Sequence, residues 1–355
     1  MEPIVLALAS NERYFPGLYC AVASALTHLD PAREIDLKVL DGGISDSSRN
    51  VLSQFVARFQ RSVRFEFVPI DVSIFRGATV GPGLTHMAYC RILLPHLLAT
   101  PRVIYLDCDA LVFRDLSELF DRELPTGKVL AAVPDSETLV LGDDSRAITS
   151  AMNLLPDARY FNSGVMLMDV YELRKENFTE KSLEFFANWR GHYRFHDQSA
   201  FNFLLHGRIE DLPKYWNRAA WRFDQQENND LSCVLHYTGS VPWLGGTAGP
   251  AQALFERFAE EMNLPVNRET QGFKKSKRQQ LIRNALAPFR ALCFTLVACF
   301  YKIAGKKGKS AAYQKSARHW LDYILLAPHR RRLHHRRTKQ IQTMKFKLAA
   351  LQSAS

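Results

Sequence analysis

Two aspartates separated by one residue follow a short apolar segment and could bind a metal ion. Asp107 and Asp109 come directly after the run 103–106. Side chains alternate between two sides of an extended chain, so the two carboxylates point the same way. Hard divalent cations prefer carboxylate oxygens and keep positions free for phosphate oxygens, which suits a metal that bridges to a diphosphate leaving group. Because aspartate is also common where strands turn, a pair of turn residues explains these residue types equally well.

A histidine far downstream offers a further ligand. His236 lies in the segment 234–243, which also contains Gly239. An imidazole complements carboxylates around a borderline ion such as manganese, and a glycine lets the backbone approach a phosphate closely. A lone histidine at the end of a strand is more often structural, so residue type alone leaves both interpretations open.

Two other segments carry polar side chains next to predicted elements. Asn162 and Ser163 precede an apolar run, where small polar residues suit recognition of hydroxyl groups or form an ordinary turn. Asp197 and Gln198 open a predicted helix. From local sequence alone, Asp197 is best interpreted as the N-cap of that helix.

The elements that must position these residues alternate between strand and helix patterns. Such alternation favours an α/β fold with a largely parallel sheet and helices on both faces. Ligands in these sheets bind at the carboxyl ends of the strands. The predicted strands are 3–9, 34–40, 64–70, 103–106, 129–133 and 165–170, and the predicted helices are 16–29, 47–59, 87–98, 172–189 and 198–205.

Composition indicates a folded protein with an uneven distribution of charge. Hydrophobic residues make up 47% of the chain and charged residues 23%, which excludes the class of disordered proteins. The net charge is +10, yet residues 271–355 hold 20 Lys and Arg against one acid, leaving 26 basic and 35 acidic residues in the first 270. An acidic body with a basic extension differs from a uniformly basic protein.

Other signals exclude further classes of protein. The six cysteines form no CxxC pair, which is typical of thiols in a reducing compartment. The run 3–9 lacks the basic region and cleavage site of a signal peptide and predicts a first strand. No apolar run reaches the roughly 18 residues of a membrane span. We therefore expect a soluble or peripheral protein.

The motifs, taken in order, resemble glycosyltransferase family 8, retaining enzymes of the GT-A fold. Bacterial lipopolysaccharide galactosyl- and glucosyltransferases are the most similar in pattern. The resemblance covers about the first 250 residues. Each motif is weak alone, but their common order and spacing are specific. The matching segments are 9–14, 89–91, 107–109, 161–165, 197–198, 216–217 and 236–239.

The resemblance implies a mixed, mostly parallel sheet flanked by helices, and it implies roles for individual residues. Asp107, Asp109 and His236 would bind Mn²⁺, with Mg²⁺ as the alternative ion. Tyr14 would stack on the uracil base, and Gln198 would lie near the anomeric carbon. The implied catalytic residues are Gln198, Asp197 and Asp135. The implied donor-binding residues are Ala9, Asn11, Tyr14, Arg91, Asp107, Cys108, Asn162, Ser163 and Gly239.

The implied enzyme is a UDP-hexose-dependent hexosyltransferase. It would move galactose or glucose from a UDP-sugar to a saccharide or glycolipid acceptor in lipopolysaccharide or another cell-surface glycan. Two residues depart from the family pattern. Asn11 stands where the family usually has Asp, and Val241 stands where it has a Lys that touches the diphosphate. The alternative is a catalytically weak sugar-nucleotide-binding protein or a nucleic-acid-binding protein.

We predict two domains, a GT-A domain over residues 1–265 and a basic amphipathic helical extension over 266–355. Basic clusters such as 274–278 and 330–332 alternate with apolar and aromatic residues, a pattern typical of an interfacial anchor on anionic lipid. Neutralisation of nucleic-acid phosphates is the alternative. We favour the membrane because the aromatic residues lie with Leu, Ile and Val, and we expect a cytoplasmic protein peripheral on the inner face of the cell membrane.

Overall fold

The computed structural model describes residues 2–59, 63–80, 85–223, 231–239, 241–244 and 249–264. The predicted basic extension, 266–355, lies outside the described residues. Two compact units are distinguished: the first is Met1–Gly239 with Phe258–Leu264, and the second includes Ser240–Arg257. Among the described residues, no helix has both the length and the apolar character needed to cross a membrane.

Seven strands of the described chain form the main sheet of the first unit, in the order β3-β2-β1-β4-β7-β6-β8. Neighbouring strands are parallel except where β7 pairs antiparallel with β4 and β6. The predicted largely parallel sheet is therefore confirmed, with one reversed strand, β7, in the fifth of its seven positions. The strands are β1 (Ile4–Ser10), β2 (Ile35–Asp41), β3 (Val63–Pro69), β4 (Arg102–Leu106), β6 (Leu130–Pro134), β7 (Phe161–Asp169) and β8 (Ile209–Asp211).

A small second sheet carries the chain back towards the end of β4. It consists of β5 (Ala110–Val112), β9 (Arg218–Ala219) and β10 (Val234–His236), in the order β5-β10-β9. β10 pairs antiparallel with β5 and parallel with β9. β9 and β10 are missing from the predicted strands because they have only two and three residues, too few to show a period in the sequence.

Burial explains why the strand patterns differ across the main sheet. All seven residues of β1 are buried, as a continuous apolar strand covered on both faces requires. The residues of β3, which lies at an edge of the sheet, are half-buried or exposed, and the strand ends at Pro69. Each fully buried Leu, Ile or Val contributes roughly 1.5–3 kcal/mol to folding, so the central strands dominate the core.

Helices of the first unit pack around this sheet, and α1 is the most deeply buried of the longer ones. Thirteen of its fourteen residues are buried, which is the pattern of a helix enclosed on all sides. The described α-helices are α1 (Phe15–His28), α2 (Asp46–Val56), α3 (Leu94–Leu97), α4 (Ser117–Phe120), α5 (Leu141–Asp144), α6 (Arg146–Ala151), α7 (Val170–Lys175), α8 (Phe178–Asn188), α9 (Asp197–Leu204), α10 (Ala220–Phe223) and α11 (Pro250–Glu261). Short 3-10 helices occupy Glu12–Tyr14, Val72–Phe75, His86–Leu93, Lys214–Trp216 and Pro242–Leu244.

Two predicted helices differ from the structure. The segment 87–98 is a 3-10 helix followed by α3, because Pro95 has no N–H to donate to the carbonyl of Arg91. The N–H of Leu94 donates to that carbonyl instead. The predicted helix 172–189 is divided into α7 and α8 at Asn177, whose φ of 55° lies in the left-handed region that asparagine tolerates.

Candidate functional site

The two aspartates after β4 are held by the sheet. The N–H of Asp107 donates to the carbonyl of Gly164 on β7 at 2.7 Å, which extends the β4–β7 pairing by one residue. The N–H of Ala110 then donates to the carbonyl of Asp107 at 3.2 Å and turns the chain into β5. Asp109 is consequently fixed between the two sheets, at the carboxyl end of β4 where the fold predicts a ligand.

Strand pairing brings His236 to these aspartates. His236 lies opposite Ala110 in the β5–β10 ladder, and the N–H of Tyr237 donates to the carbonyl of Asp109 at 2.9 Å. The Nε2 atom of His236 is 3.1 Å from Oδ1 of Asp109 and 3.6 Å from Oδ2 of Asp107. The three side chains that the sequence singled out as ligands therefore converge on one point.

The donor atoms of this cluster fit a divalent cation. One ligand atom from each of Asp107, Asp109 and His236 lies within 4.8 Å of the other two. Carboxylates with one imidazole suit Mn²⁺ or Mg²⁺ better than soft ions. Asp197 adds a buried carboxylate to the half-buried ones of Asp107 and Asp109, and the guanidinium of Arg91 places a permanent positive charge beside it. Negative charge in excess is costly in a buried site, and a divalent ion would offset it.

Burial and neighbouring charges together raise the pKa values of two of these residues, Asp107 and His236. Burial raises the pKa of Asp107 above its usual value, and Arg91 offsets part of this rise. Burial lowers the pKa of His236, but the Asp109 and Asp107 carboxylates raise it more, so its net pKa lies above the usual value. Protons and a metal ion would therefore compete for the same atoms.

Arg91 joins the cluster of Asp107, Asp109 and His236 to Asp197. Its guanidinium contacts Oδ1 of Asp107 at 2.7 Å through Nη2 and Oδ2 of Asp197 at 3.0 Å through Nε, and it donates to the carbonyl of Ser163 at 2.6 Å. The ring of Tyr105 lies 4.5 Å beneath the guanidinium carbon. Burial would lower the pKa of Arg91, yet the two carboxylates raise it above its usual value, so Arg91 stays charged.

Asp197 is not the N-cap that local sequence favoured. The N-cap of α9 is His196, and Asp197 is the first residue of the helix. The carboxylate of Asp197 faces Arg91 and also accepts a hydrogen bond from Oγ of Ser163 at 3.2 Å. Burial raises the pKa of Asp197 to about 6 although Arg91 lowers it.

A second polar cluster adjoins the first and contains Asp135, Asn162 and Gln198. Oδ2 of Asp135 accepts hydrogen bonds from the amide of Asn162 at 3.0 Å and from that of Gln198 at 3.3 Å. Oε1 of Gln198 accepts from the N–H of Ser163 at 3.1 Å. Amides and a carboxylate so arranged can exchange hydrogen bonds with sugar hydroxyl groups.

Of the predicted nucleotide-binding residues, Ala9 lies near the end of β1, which pairs with β4, and Asn11 and Tyr14 follow that strand. Asn11 accepts a hydrogen bond from the N–H of Tyr14 at 3.3 Å and begins the 3-10 helix that carries Tyr14. Burial, with smaller contributions from Asp109 and the buried Cys108, raises the pKa of Tyr14. Because β1 and β4 are parallel neighbours, Ala9, Asn11 and Tyr14 lie at the same edge of the sheet as Asp107 and Asp109. Gly239 lies beyond β10 with a φ of +81°.

Two residues of this site were given no role from the sequence. A Cβ atom on Gly164 would lie 2.2 Å from Cε1 of His236 and 2.8 Å from Oδ2 of Asp107. The side chain of Asn217 contacts both His236 and Asn162. Both residues belong to motifs that matched in the sequence, and that match was the only signal available. Their function depends on contacts between segments that are distant along the chain.

Comparison with known proteins agrees with this geometry. The profile of glycosyl transferase family 8 matches residues 5–246. The general stress protein A of Bacillus subtilis is 32% identical over 268 residues, which cover 70% of this chain and 90% of that protein. The lipopolysaccharide 1,2-glucosyltransferase of Escherichia coli is 29% identical over 157 residues, 41% of this chain and 45% of that protein.

A solved structure shares the fold. The galactosyltransferase LgtC, in complex with donor and acceptor sugar analogs, superposes with a TM-score of 0.63 at 22% identity, covering 76% of this chain and 100% of its own. The mixed sheet with flanking helices is therefore the GT-A fold. With its family profile matched over residues 5–246, this chain belongs to glycosyltransferase family 8.

Proposed function

We propose that this glycosyltransferase moves a hexose, galactose or glucose, from a UDP-sugar to a saccharide or glycolipid acceptor with retention of anomeric configuration. One observation carries the proposal. The acidic cluster of Asp107, Asp109 and His236 lies directly beside the polar cluster of Asp135 and Gln198, so that a diphosphate and its sugar can be bound side by side. Two similar proteins are a glucosyltransferase and a galactosyltransferase, which supports the choice of hexose.

In this proposal Asp107, Asp109 and His236 hold Mn²⁺, with Mg²⁺ as the alternative ion. Such an ion supplies positive charge that stabilises a departing diphosphate. Ala9, Asn11 and Tyr14 bind the uridine in this proposal, and the half-buried Tyr14 stacks on the uracil base.

The sugar is held by hydrogen bonds to Asp135, Asn162 and Gln198. Gln198 is an amide and a poor nucleophile. Asp197 is engaged by Arg91 at 3.0 Å and by Ser163 at 3.2 Å, which lowers the reactivity of its carboxylate. We therefore favour attack by the acceptor hydroxyl on the face from which the diphosphate leaves, without a covalent intermediate on the protein.

The test is a thermal-shift panel of UDP-glucose, UDP-galactose and UDP with and without Mn²⁺, followed by donor hydrolysis without acceptor. Ligand at about 100 times its Kd stabilises the native state by about 2.7 kcal/mol, which raises Tm by roughly 5–10 °C for a domain of this size. We expect this shift only with Mn²⁺ or Mg²⁺. Asp109→Asn should abolish it, and the exposed Asp157→Asn serves as the matched control.

The outcomes separate the candidate functions. Stabilisation by UDP-sugars without any donor hydrolysis or transfer would favour a catalytically weak binding protein. No stabilisation by any UDP-sugar in the presence of Mn²⁺ contradicts the proposed donor.

We further propose that the protein is peripheral on the inner face of the cell membrane and that residues 271–355 attach it to anionic lipid. Their 20 Lys and Arg each contribute on the order of 1 kcal/mol near such a surface. The acidic body is repelled only weakly, since screening is strong beyond a Debye length of roughly 8 Å.

Vesicle sedimentation tests this attachment. Full-length protein should sediment with anionic vesicles and release only in part at high salt, while protein truncated after residue 270 should stay in the supernatant. Full-length protein that ignores anionic vesicles but binds RNA with a steep salt dependence would favour the nucleic-acid alternative.

A further inference from the structure

Asn217 occupies a fixed position between the two polar clusters. It follows the 3-10 helix Lys214–Trp216 and precedes β9, whose residue Ala219 pairs with His236. Its side chain is 9% exposed. Its Oδ1 is 2.9 Å from Nδ1 of His236, and its Nδ2 donates to Oδ1 of Asn162 at 2.7 Å. Asn217 thus contacts a proposed metal ligand without belonging to the ligand set.

The neighbours of Asn162 fix the orientation of both amides. Oδ1 of Asn162 accepts a hydrogen bond from the backbone N–H of Gly164 at 2.9 Å, and a backbone N–H can only donate. Its Nδ2 donates to the carboxylate of Asp135 at 3.0 Å, which accepts when ionised. Oδ1 of Asn162 therefore faces Asn217 as an acceptor. The NH₂ group of Asn217 must point towards Asn162, and its oxygen must point towards His236.

An amide oxygen only accepts hydrogen bonds, so Nδ1 of His236 must carry a proton. The lone pair of the neutral ring is then on Nε2, which faces Asp109 at 3.1 Å and Asp107 at 3.6 Å. Without Asn217 the opposite tautomer would be favoured, because an Nε2–H group could donate to those carboxylates. That tautomer presents a proton, and no lone pair, to the metal position.

We propose that Asn217 is a positioning residue that holds His236 in the Nδ1–H tautomer and thereby maintains the affinity of the site for a divalent cation. This inference rests on the proposed function only in that His236 is taken as a metal ligand. Partners of ligating histidines typically change metal affinity by about 10–100-fold when removed, and we expect a loss in that range.

The experiment uses the full-length protein labelled with ¹⁵N-histidine, whose ring nitrogen shifts distinguish the two tautomers. Spectra are recorded without metal at pH 9, and the His236 signals are identified by their absence in His236→Gln. We expect the Nδ1–H signature in the wild-type protein. Asn217→Leu, which removes the acceptor at similar volume, should shift His236 towards the Nε2–H form and weaken Mn²⁺ binding about 10–100-fold by isothermal titration.

Asn217→Asp is the matched variant, because it keeps an oxygen facing His236 but loses the NH₂ group that faces Asn162. It should retain the Nδ1–H signature and bind Mn²⁺ far more tightly than Asn217→Leu. A purely structural role would lower Tm in both variants and leave the spectrum unchanged. An unchanged tautomer in Asn217→Leu, or an Nε2–H signature in Asn217→Asp, would overturn the proposal.

If Asn217→Leu fails to fold, the wild-type and Asn217→Asp spectra still test the proposal, because an Nε2–H signature in either protein would overturn it. Wild-type protein that binds no Mn²⁺ would contradict the proposed metal site, whereas the metal-free spectrum would still decide the role of Asn217.

Discussion

Replacing Gly164 by alanine should displace His236 from Asp107 and Asp109. The added Cβ would lie 2.2 Å from Cε1 and 2.7 Å from Nδ1 of His236, and 2.8 Å from Oδ2 of Asp107. Ordinary van der Waals contact begins near 3.4 Å, so the imidazole must move by more than 1 Å. It has little room to do so, because the side chain is 5% exposed and is held at Nδ1 by Asn217 at 2.9 Å.

The expected magnitudes follow from this displacement. Overpacking of a buried site costs about 1–3 kcal/mol, which lowers Tm by several degrees. A displacement of about 1 Å in a site of this kind can cost about 100-fold in rate. We expect a loss of Mn²⁺ affinity of 10–100-fold, as for removal of a partner of a ligating histidine.

The assay is Mn²⁺ titration by calorimetry, with circular dichroism to confirm the fold and thermal unfolding to measure stability. Gly77→Ala is the matched control, since a Cβ there meets nothing within 4 Å and no positive φ is involved. It should leave Mn²⁺ affinity unchanged. If Gly164→Ala binds Mn²⁺ as the wild-type protein does and unfolds at the same temperature, the steric reasoning is wrong.

Three further predictions test other parts of the site. Mn²⁺ affinity should fall as the pH is lowered from 8 to 6, because the pKa values of His236 and Asp107 are both raised and protons then compete with the metal. Mn²⁺ titrations at several pH values check this, and His236→Ala should show a shallower pH dependence. Asp109→Asn should lose Mn²⁺-dependent transfer while the metal-free protein keeps its circular dichroism spectrum; activity that persists in excess chelator would contradict the metal requirement. Asp144→Asn should destabilise the fold by about 1.5–3 kcal/mol without changing Mn²⁺ affinity, because this buried carboxylate accepts hydrogen bonds from Tyr160 and Ser199 at 2.8 and 2.5 Å. An altered Mn²⁺ affinity, measured by titration, would show that Asp144 also supports the site.

The order of strands and helices was largely readable from the sequence because hydrophobic period is a local property. The strands β1, β2, β3 and β4 each show a run or alternation of apolar residues, and their predicted and observed bounds agree within about one residue. The aspartates after β4 were identified for the same reason, since the change from apolar to polar residues marks the end of a buried strand in the sequence. The errors fell at Pro95 and Asn177, where single residues interrupted a helical period.

What the sequence by itself determined is therefore the α/β alternation, the acidic pair Asp107 and Asp109, and a set of motifs whose order indicated the family. The family resemblance implied that His236 joins those aspartates, but tertiary structure decided the contact itself, through pairing between β5 and β10, two strands of only three residues each. It also decided that Asp197 faces Arg91 and that Asn217 spans two clusters. These contacts join segments far apart along the chain, and their geometry depends on strand register and close packing, which no local pattern encodes.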